Sequence, residues 1–164
     1  MRRSPRRAPP AARDGTPMSA LLAESLISSL NVDARIDDIT KATGWLGALA
    51  EDEGWSQATR FALELSLEEA LTNVVSYGFQ DSTAVPRIRI ECYRLPEGRV
   101  AVRLIDNGMA FDPTTISEPV VPASIEDAKI GGHGVQLMRN FLETLAYARE
   151  GDENHLTLIA GKPD

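Results

Sequence analysis

Residues 87–106 constrain the fold more than any other stretch. In RIRIECYR (87–94), Ile88, Ile90 and Cys92 alternate with Arg87, Arg89 and Glu91. In RVAVRLID (99–106), Val100, Val102 and Leu104 alternate with Arg99, Ala101 and Arg103. Leu95-Pro96-Glu97-Gly98 lies between them. A period of two on both sides of a short turn specifies an antiparallel hairpin with one polar and one buried face. The buried face needs a second layer to cover it.

The flanking segments supply that layer. ESLISSLNV (24–32) has the apolar content of a first strand. Over 35–53, Ile36, Ile39, Thr43, Leu46 and Ala50 step by three and four, which marks one face of a helix, and Gly54 ends it. Ser56 is placed to cap a second helix running to about Tyr77, with Gly78 as its stop. Phe61, Ala62, Leu65, Leu67, Ala70, Leu71, Val74 and Val75 cover more than one face of it, so this helix is expected to be largely buried. Residues 112–130 carry Pro113, Pro119 and Pro122 and no sustained period; a loop of that length in a compact domain reads as a lid. A helix over 133–143, with Val135, Met138, Phe141 and Leu142 inward, and strands at about 144–149 and 155–160 complete the pattern. The expected fold class is α+β: a two-layer sandwich of a mixed, mostly antiparallel sheet with helices on one face.

Composition narrows the function. The chain has 164 residues, enough for one domain with a sizeable core. One cysteine, Cys92, and two histidines exclude an internal disulfide and a Cys/His zinc cluster, and point to a reducing cytoplasm. No apolar run is long enough to cross a membrane. Residues 1–17, rich in proline, hold five arginines and one aspartate; the total charge of −7 then leaves about −11 on the rest. They are expected to be a disordered basic tail, or sequence upstream of a start at Met18, leaving 18–164 as the domain. An acidic body argues against direct binding of nucleic acid. It does not argue against a nucleotide, whose charge a metal ion and backbone N–H groups can offset.

Three constellations could carry chemistry. In EEALTNVV, Glu69 and Asn73 are four apart and share one helical face. Asn offers a neutral oxygen to a hard cation, and a carboxylate beside it can deprotonate a nucleophile. In IDNGMAFDP, Asp106 stands where a strand ends, placed to accept from an exocyclic amine, and Gly108 allows a ring to approach the backbone. In IGGHGVQLMRNFL, Gly131, Gly132 and Gly134 lead into a helix start, where N–H groups and the helix dipole favour an anion. Each alone has an ordinary alternative: a solvated stripe, an Asp-Asn-Gly turn, a hinge.

Together and in this order they resemble the N, G1 and G2 boxes of the GHKL (Bergerat-fold) ATPases. The resemblance runs from about residue 20 to 161 and is strongest to bacterial anti-sigma factor serine kinases of the RsbW type. EEALTNVVSYGF, DNGMAFDP, IGGHGVQLMR and the closing Asn154-His155-Leu156-Thr157-Leu158 carry it. It implies ATP and Mg2+ as cofactors. Glu69 is then the general base toward a partner serine, and Asn73 the magnesium ligand. Asp106 and Gly108 serve the adenine, Gly132 and Gly134 the phosphates, and Lys129 reaches from the lid to the terminal phosphate. It further implies a sigma factor and a STAS-type anti-anti-sigma protein as partners, and a homodimer. The alternative is a non-catalytic ATP-binding module that switches partner binding. Two positions depart from the pattern: Ala110, often glycine or proline in such proteins, and Tyr77, where some relatives have histidine.

Overall fold

The computed structural model describes residues 25–115 and 133–161. The tail at 1–17, most of the lid with Lys129, and Gly131 and Gly132 lie outside the described residues.

Strand β1 spans Leu26–Val32, helix α1 Ile36–Glu53 and helix α2 Gln57–Asn73, which runs on into a π turn at Val74–Gly78. The hairpin strands are β2, Ile88–Arg94, and β3, Val100–Asp106, joined by a 3-10 turn at Pro96–Gly98. Helix α3 is His133–Phe141, followed by β4, Thr144–Glu150, and β5, Glu153–Ala160. The strands form one sheet in the order β1-β2-β3-β5-β4, and every neighbouring pair is antiparallel.

Local chemistry sets the boundaries. Gly54 closes α1 with a left-handed φ of 67°, a conformation that costs glycine nothing. The Ser56 hydroxyl caps α2 by accepting from the Thr59 N–H at 3.1 Å. Glu150 pairs with Glu153, so β4 and β5 meet at a two-residue turn, with Gly151 at φ 61°. That tight turn starts β5 at Glu153, two residues ahead of the expected bound of about 155, and so places Asn154 within the strand.

All three helices cover one face of the sheet. Ala42 and Leu46 of α1, Leu63, Leu67 and Leu71 of α2, and Val135 and Met138 of α3 share a core with Ile88, Ile90 and Cys92 of β2. Val100, Val102 and Leu104 of β3 and Leu156, Leu158 and Ala160 of β5 complete it. Each fully buried Leu or Met in that layer stabilises the fold by about 1.5–3 kcal/mol.

Several expectations about facing need correction. The buried stripe of α1 is Ala42, Leu46, Gly47 and Ala50; Ile36, in the first turn ahead of that stripe, is 76% exposed. Phe61 of α2 and Phe141 of α3 are 53% and 47% exposed, and meet edge to face with ring centroids 5.3 Å apart. They shield each other at the surface instead of entering the core. The other face of the sheet is not uniformly polar, because Tyr93, Leu95, Ala101 and Ile159 form a small buried cluster there. Trp45 and Trp55 pack against the main core, as expected of structural residues.

Candidate functional site

The period of two that builds the core also builds the site. The inward row of β3 runs Val100, Val102, Leu104 and then Asp106; the inward row of β5 runs Asn154, Leu156, Leu158, Ala160. Asp106 and Asn154 are register partners, so two apolar rows end side by side in a buried polar pair. On β4, Tyr147 pairs with Leu156 and Arg149 with Asn154, which brings both side chains to the same end of the sheet.

A cavity of about 160 Å³ opens there. Ala70, Asn73, Val74, Tyr77 and Gly78 of α2 and its π turn form one wall. Met109, Ala110, Phe111 and Pro113 form another, and Leu104, Met138, Tyr147 and Leu156 line the apolar interior. Positions 70, 73, 74 and 77 repeat at helical spacing, so one face of the helix end supplies the whole wall. A π turn at a helix end is a frequent mark of functional sites. Here it brings the Gly78 carbonyl to the Met109 N–H at 2.8 Å, which fastens the loop after β3 to the end of α2.

Asp106 is 4% exposed. Its Oδ1 accepts from the Gly108 N–H at 2.9 Å and from Asn154 Nδ2 at 3.0 Å. Among the described residues no hydrogen bond falls on Oδ2, the oxygen left for the cavity that Asp106 lines. Burial raises the carboxyl above its ordinary 3.8. The Asn154 amide, the Gly108 N–H and the nearby Arg149 and His155 only partly offset that. A buried carboxylate oxygen in a mostly apolar slot suits a planar ring that carries an exocyclic amine.

Gly108 has a different use from the one its motif suggests. A Cβ there would lie 2.7 Å from the Gly78 carbonyl oxygen and 3.0 Å from Asp106 Oδ1. Gly108 therefore backs the wall, while Gly78 and Met109 face the cavity. Asn107 anchors the same loop from the other side: its Oδ1 accepts from the Arg87 N–H at 2.6 Å, and its Nδ2 donates to the Val85 carbonyl at 2.9 Å.

Glu69 and Asn73 lie on the last turns of α2, both half-buried. Asn73 lines the cavity. Glu69 abuts the first turn of α3, where a Cβ on Gly134 would stand 2.9 Å from the Glu69 carboxyl carbon and 3.3 Å from its Cγ. The structure thus brings Glu69, Asn73, Asp106, Gly108 and Gly134 to one end of the sandwich; Lys129 and Gly132 lie outside the described residues. The motifs did not single out Tyr147, Arg149 or the function of Asn154. The signal was strand register, which a single sequence does not carry.

Comparison with known proteins agrees with this architecture. The sequence profile of the histidine kinase-like ATPase domain matches residues 32–160. The serine/threonine-protein kinase BtrW of Bordetella bronchiseptica is 37% identical over 136 residues, covering 83% of this chain and 94% of that one. The serine-protein kinase RsbW of Listeria innocua is 29% identical over 128 residues, covering 75% and 80%. Among solved structures, the RsbU and RsbW domains of a Mycobacterium tuberculosis protein superpose with a TM-score of 0.57 at 14% identity, over 82% of this chain and 32% of that one. That last likeness concerns the fold alone.

Proposed function

The chain belongs to the histidine kinase-like ATPase family, within its protein serine kinases, and from that premise we propose that it transfers phosphate from ATP to a serine of a partner protein. The partner would be an anti-anti-sigma protein of the STAS type, and in one state of the switch the chain would bind a sigma factor. The observation that carries this reading is the geometry at the end of the sheet. A buried carboxylate with one oxygen left for an apolar slot lies beside a helix end bearing Asn73 and Glu69.

The residues present fit the ligands. The cavity matches a base alone and is smaller than the ~300–1,000 Å³ typical of sites that enclose a whole drug-sized ligand. The sugar and phosphates would then extend past Asn73 toward Gly134 and the start of α3. Among the described residues no cluster of three or more His, Cys, Asp or Glu side chains is placed to hold a metal. The oxygen of Asn73 with phosphate oxygens and water is a set that magnesium accepts. When bound, magnesium supplies charge neutralisation on the phosphates.

The chain's own groups do the rest. Asp106 accepts from the adenine amine, and Tyr77, Met109 and Phe111 shield the ring. Asn73, which lines the slot, would hold the metal. Gly134, lacking a Cβ, lets the Glu69 carboxyl lie against the first turn of α3, where N–H groups and the helix dipole favour negative charge. Glu69, one turn before Asn73, takes the proton of the acceptor hydroxyl as the serine oxygen bonds to the γ-phosphorus and the bond from that phosphorus to the β-phosphate oxygen breaks, releasing ADP. Gly132 and Lys129 belong to the same phosphate site in this reading. We further propose that residues 18–164 form the kinase domain, that it works in the cytoplasm, and that it acts as a homodimer.

Incubation with γ-labelled ATP and the partner tests the assignment. The account expects phosphoserine on the partner, lost in Glu69→Ala although ADP still binds. A Glu69→Ala variant that phosphorylates at the wild-type rate overturns the role of Glu69. ATP binding without any transfer identifies a switch module instead of a kinase.

A further inference from the structure

Asn154 is a buried amide with partners on every side. Its Nδ2 donates to Asp106 Oδ1 at 3.0 Å and to the Met109 carbonyl at 2.8 Å. Its Oδ1 accepts from the Tyr147 hydroxyl at 2.5 Å, from Arg149 Nη1 at 3.1 Å and from the Phe111 N–H at 3.4 Å. The orientation of this amide is therefore fixed by chemistry: both acceptors lie on one side and all three donors on the other. Arg149 Nη1 also donates to the Gly108 carbonyl at 2.8 Å, so the cation joins Asn154 to the loop that carries the second bond to Asp106.

This arrangement decides which oxygen of Asp106 is available. Both donors to the carboxylate, the Gly108 N–H and Asn154 Nδ2, converge on Oδ1. Rotation of the carboxylate would break both bonds in a buried site, where an unsatisfied polar group is costly. Met109 and Phe111, which flank the slot, are tied to the same amide.

We propose that Asn154, clamped by Tyr147 and Arg149, is the positioning residue that holds Asp106 Oδ2 toward the exocyclic amine of the base, so that preference for adenine is set jointly by the β4–β5 hairpin and Asp106. The inference rests on the reading of the cavity as the base site. It adds a residue that acts through Asp106 and does not itself take up the amine, since both of its donors are engaged within the protein.

The test compares two ligands on the full chain by titration calorimetry: Mg-ADP, and the magnesium complex of purine riboside 5′-diphosphate, which lacks the amine. The phosphates and sugar are common to both, so their ratio isolates the bond to Asp106. The wild type is expected to prefer ADP by about tenfold or more, the value of a hydrogen bond to a charged group. Asn154→Leu keeps a similar volume and removes both donated bonds without adding a charge. ADP affinity should fall by about tenfold while the amine-free ligand stays within about twofold. An equal loss for both ligands, or no loss for either, overturns the proposal. Should that variant fail to fold by circular dichroism, Tyr147→Phe with Arg149→Met removes two donors to Asn154 Oδ1 and decides the matter. A selective loss of ADP supports the role, and an unchanged ADP preference overturns it. A wild type that binds neither ligand at millimolar concentration sinks the nucleotide reading itself, and this inference with it.

Discussion

Gly108→Ala is the substitution that most sharply probes how the site is built. The φ of Gly108 is not positive, so alanine meets no backbone penalty there and the whole cost is steric. The new methyl carbon would lie 2.7 Å from the Gly78 oxygen, 3.1 Å from the Gly78 carbonyl carbon and 3.0 Å from Asp106 Oδ1. Two of these contacts are backbone, which cannot swing aside. Overpacking of this kind costs about 1–3 kcal/mol. Forcing the two segments apart also breaks the bond from the Met109 N–H to the Gly78 carbonyl, worth about 1 kcal/mol. A total of about 2–4 kcal/mol corresponds to a fall in Tm of roughly 5–15 °C for a chain of this size. Two control glycines have nothing within 4 Å of the added carbon. Gly44, inside α1, should gain up to ~1 kcal/mol as alanine. Gly98, at φ 74°, should lose about 1 kcal/mol to the left-handed backbone alone. Urea and thermal melts of the three variants give the ranking. If Gly108→Ala melts with the wild type, the packing of the loop after β3 against the π turn is wrong.

Asp106→Asn should abolish measurable preference for adenine nucleotides, read by the same two-ligand calorimetry. It should also change how stability depends on pH. Because the folded-state carboxyl titrates above 3.8, its contribution is complete below 3.8 and is lost as pH rises through the raised value. The variant lacks that loss, so its stability relative to wild type should improve as pH rises from 3.8; a difference that is flat with pH refutes the upward shift. Removing Phe61 and Phe141 singly and together should reveal a coupling of about 0.5–1.5 kcal/mol, since the pair is an edge-to-face contact at the surface; additive losses would deny it. Burial pushes the Cys92 thiol up to about 12, so a thiol reagent should label it only at the rate of unfolding. Fast labelling of the native chain would contradict the core placement.

The fold was legible wherever its cause is local. The alternation in 87–106, the Ser56 cap and the Gly54 stop all act within a few residues, and each stands where the sequence put it. The helical repeat of α1 was readable, but Ile36 belongs to its pattern and not to its packing, because the first turn lies ahead of the core. Phe141 shows the same limit: hydrophobicity names a face, and the neighbour across the helix pair decides whether it is covered. Within the site, Asp106 stood out because it stands where a hairpin strand ends, two residues before a glycine, placed to accept from an exocyclic amine. Asn154 did not stand out, because its meaning comes from the pairing of β3 with β5 across 48 residues. The glycine at 108 did stand out, as room for a ring, but its packing reason, a carbonyl thirty residues earlier, was not legible.

A co-crystal structure with magnesium and ADP would decide where the base sits. The adenine is expected in the cavity between Tyr77 and Tyr147, with its amine donating to Asp106 Oδ2 and the metal on Asn73. A nucleotide bound elsewhere, with the slot beneath Asp106 filled only by water, would contradict that placement.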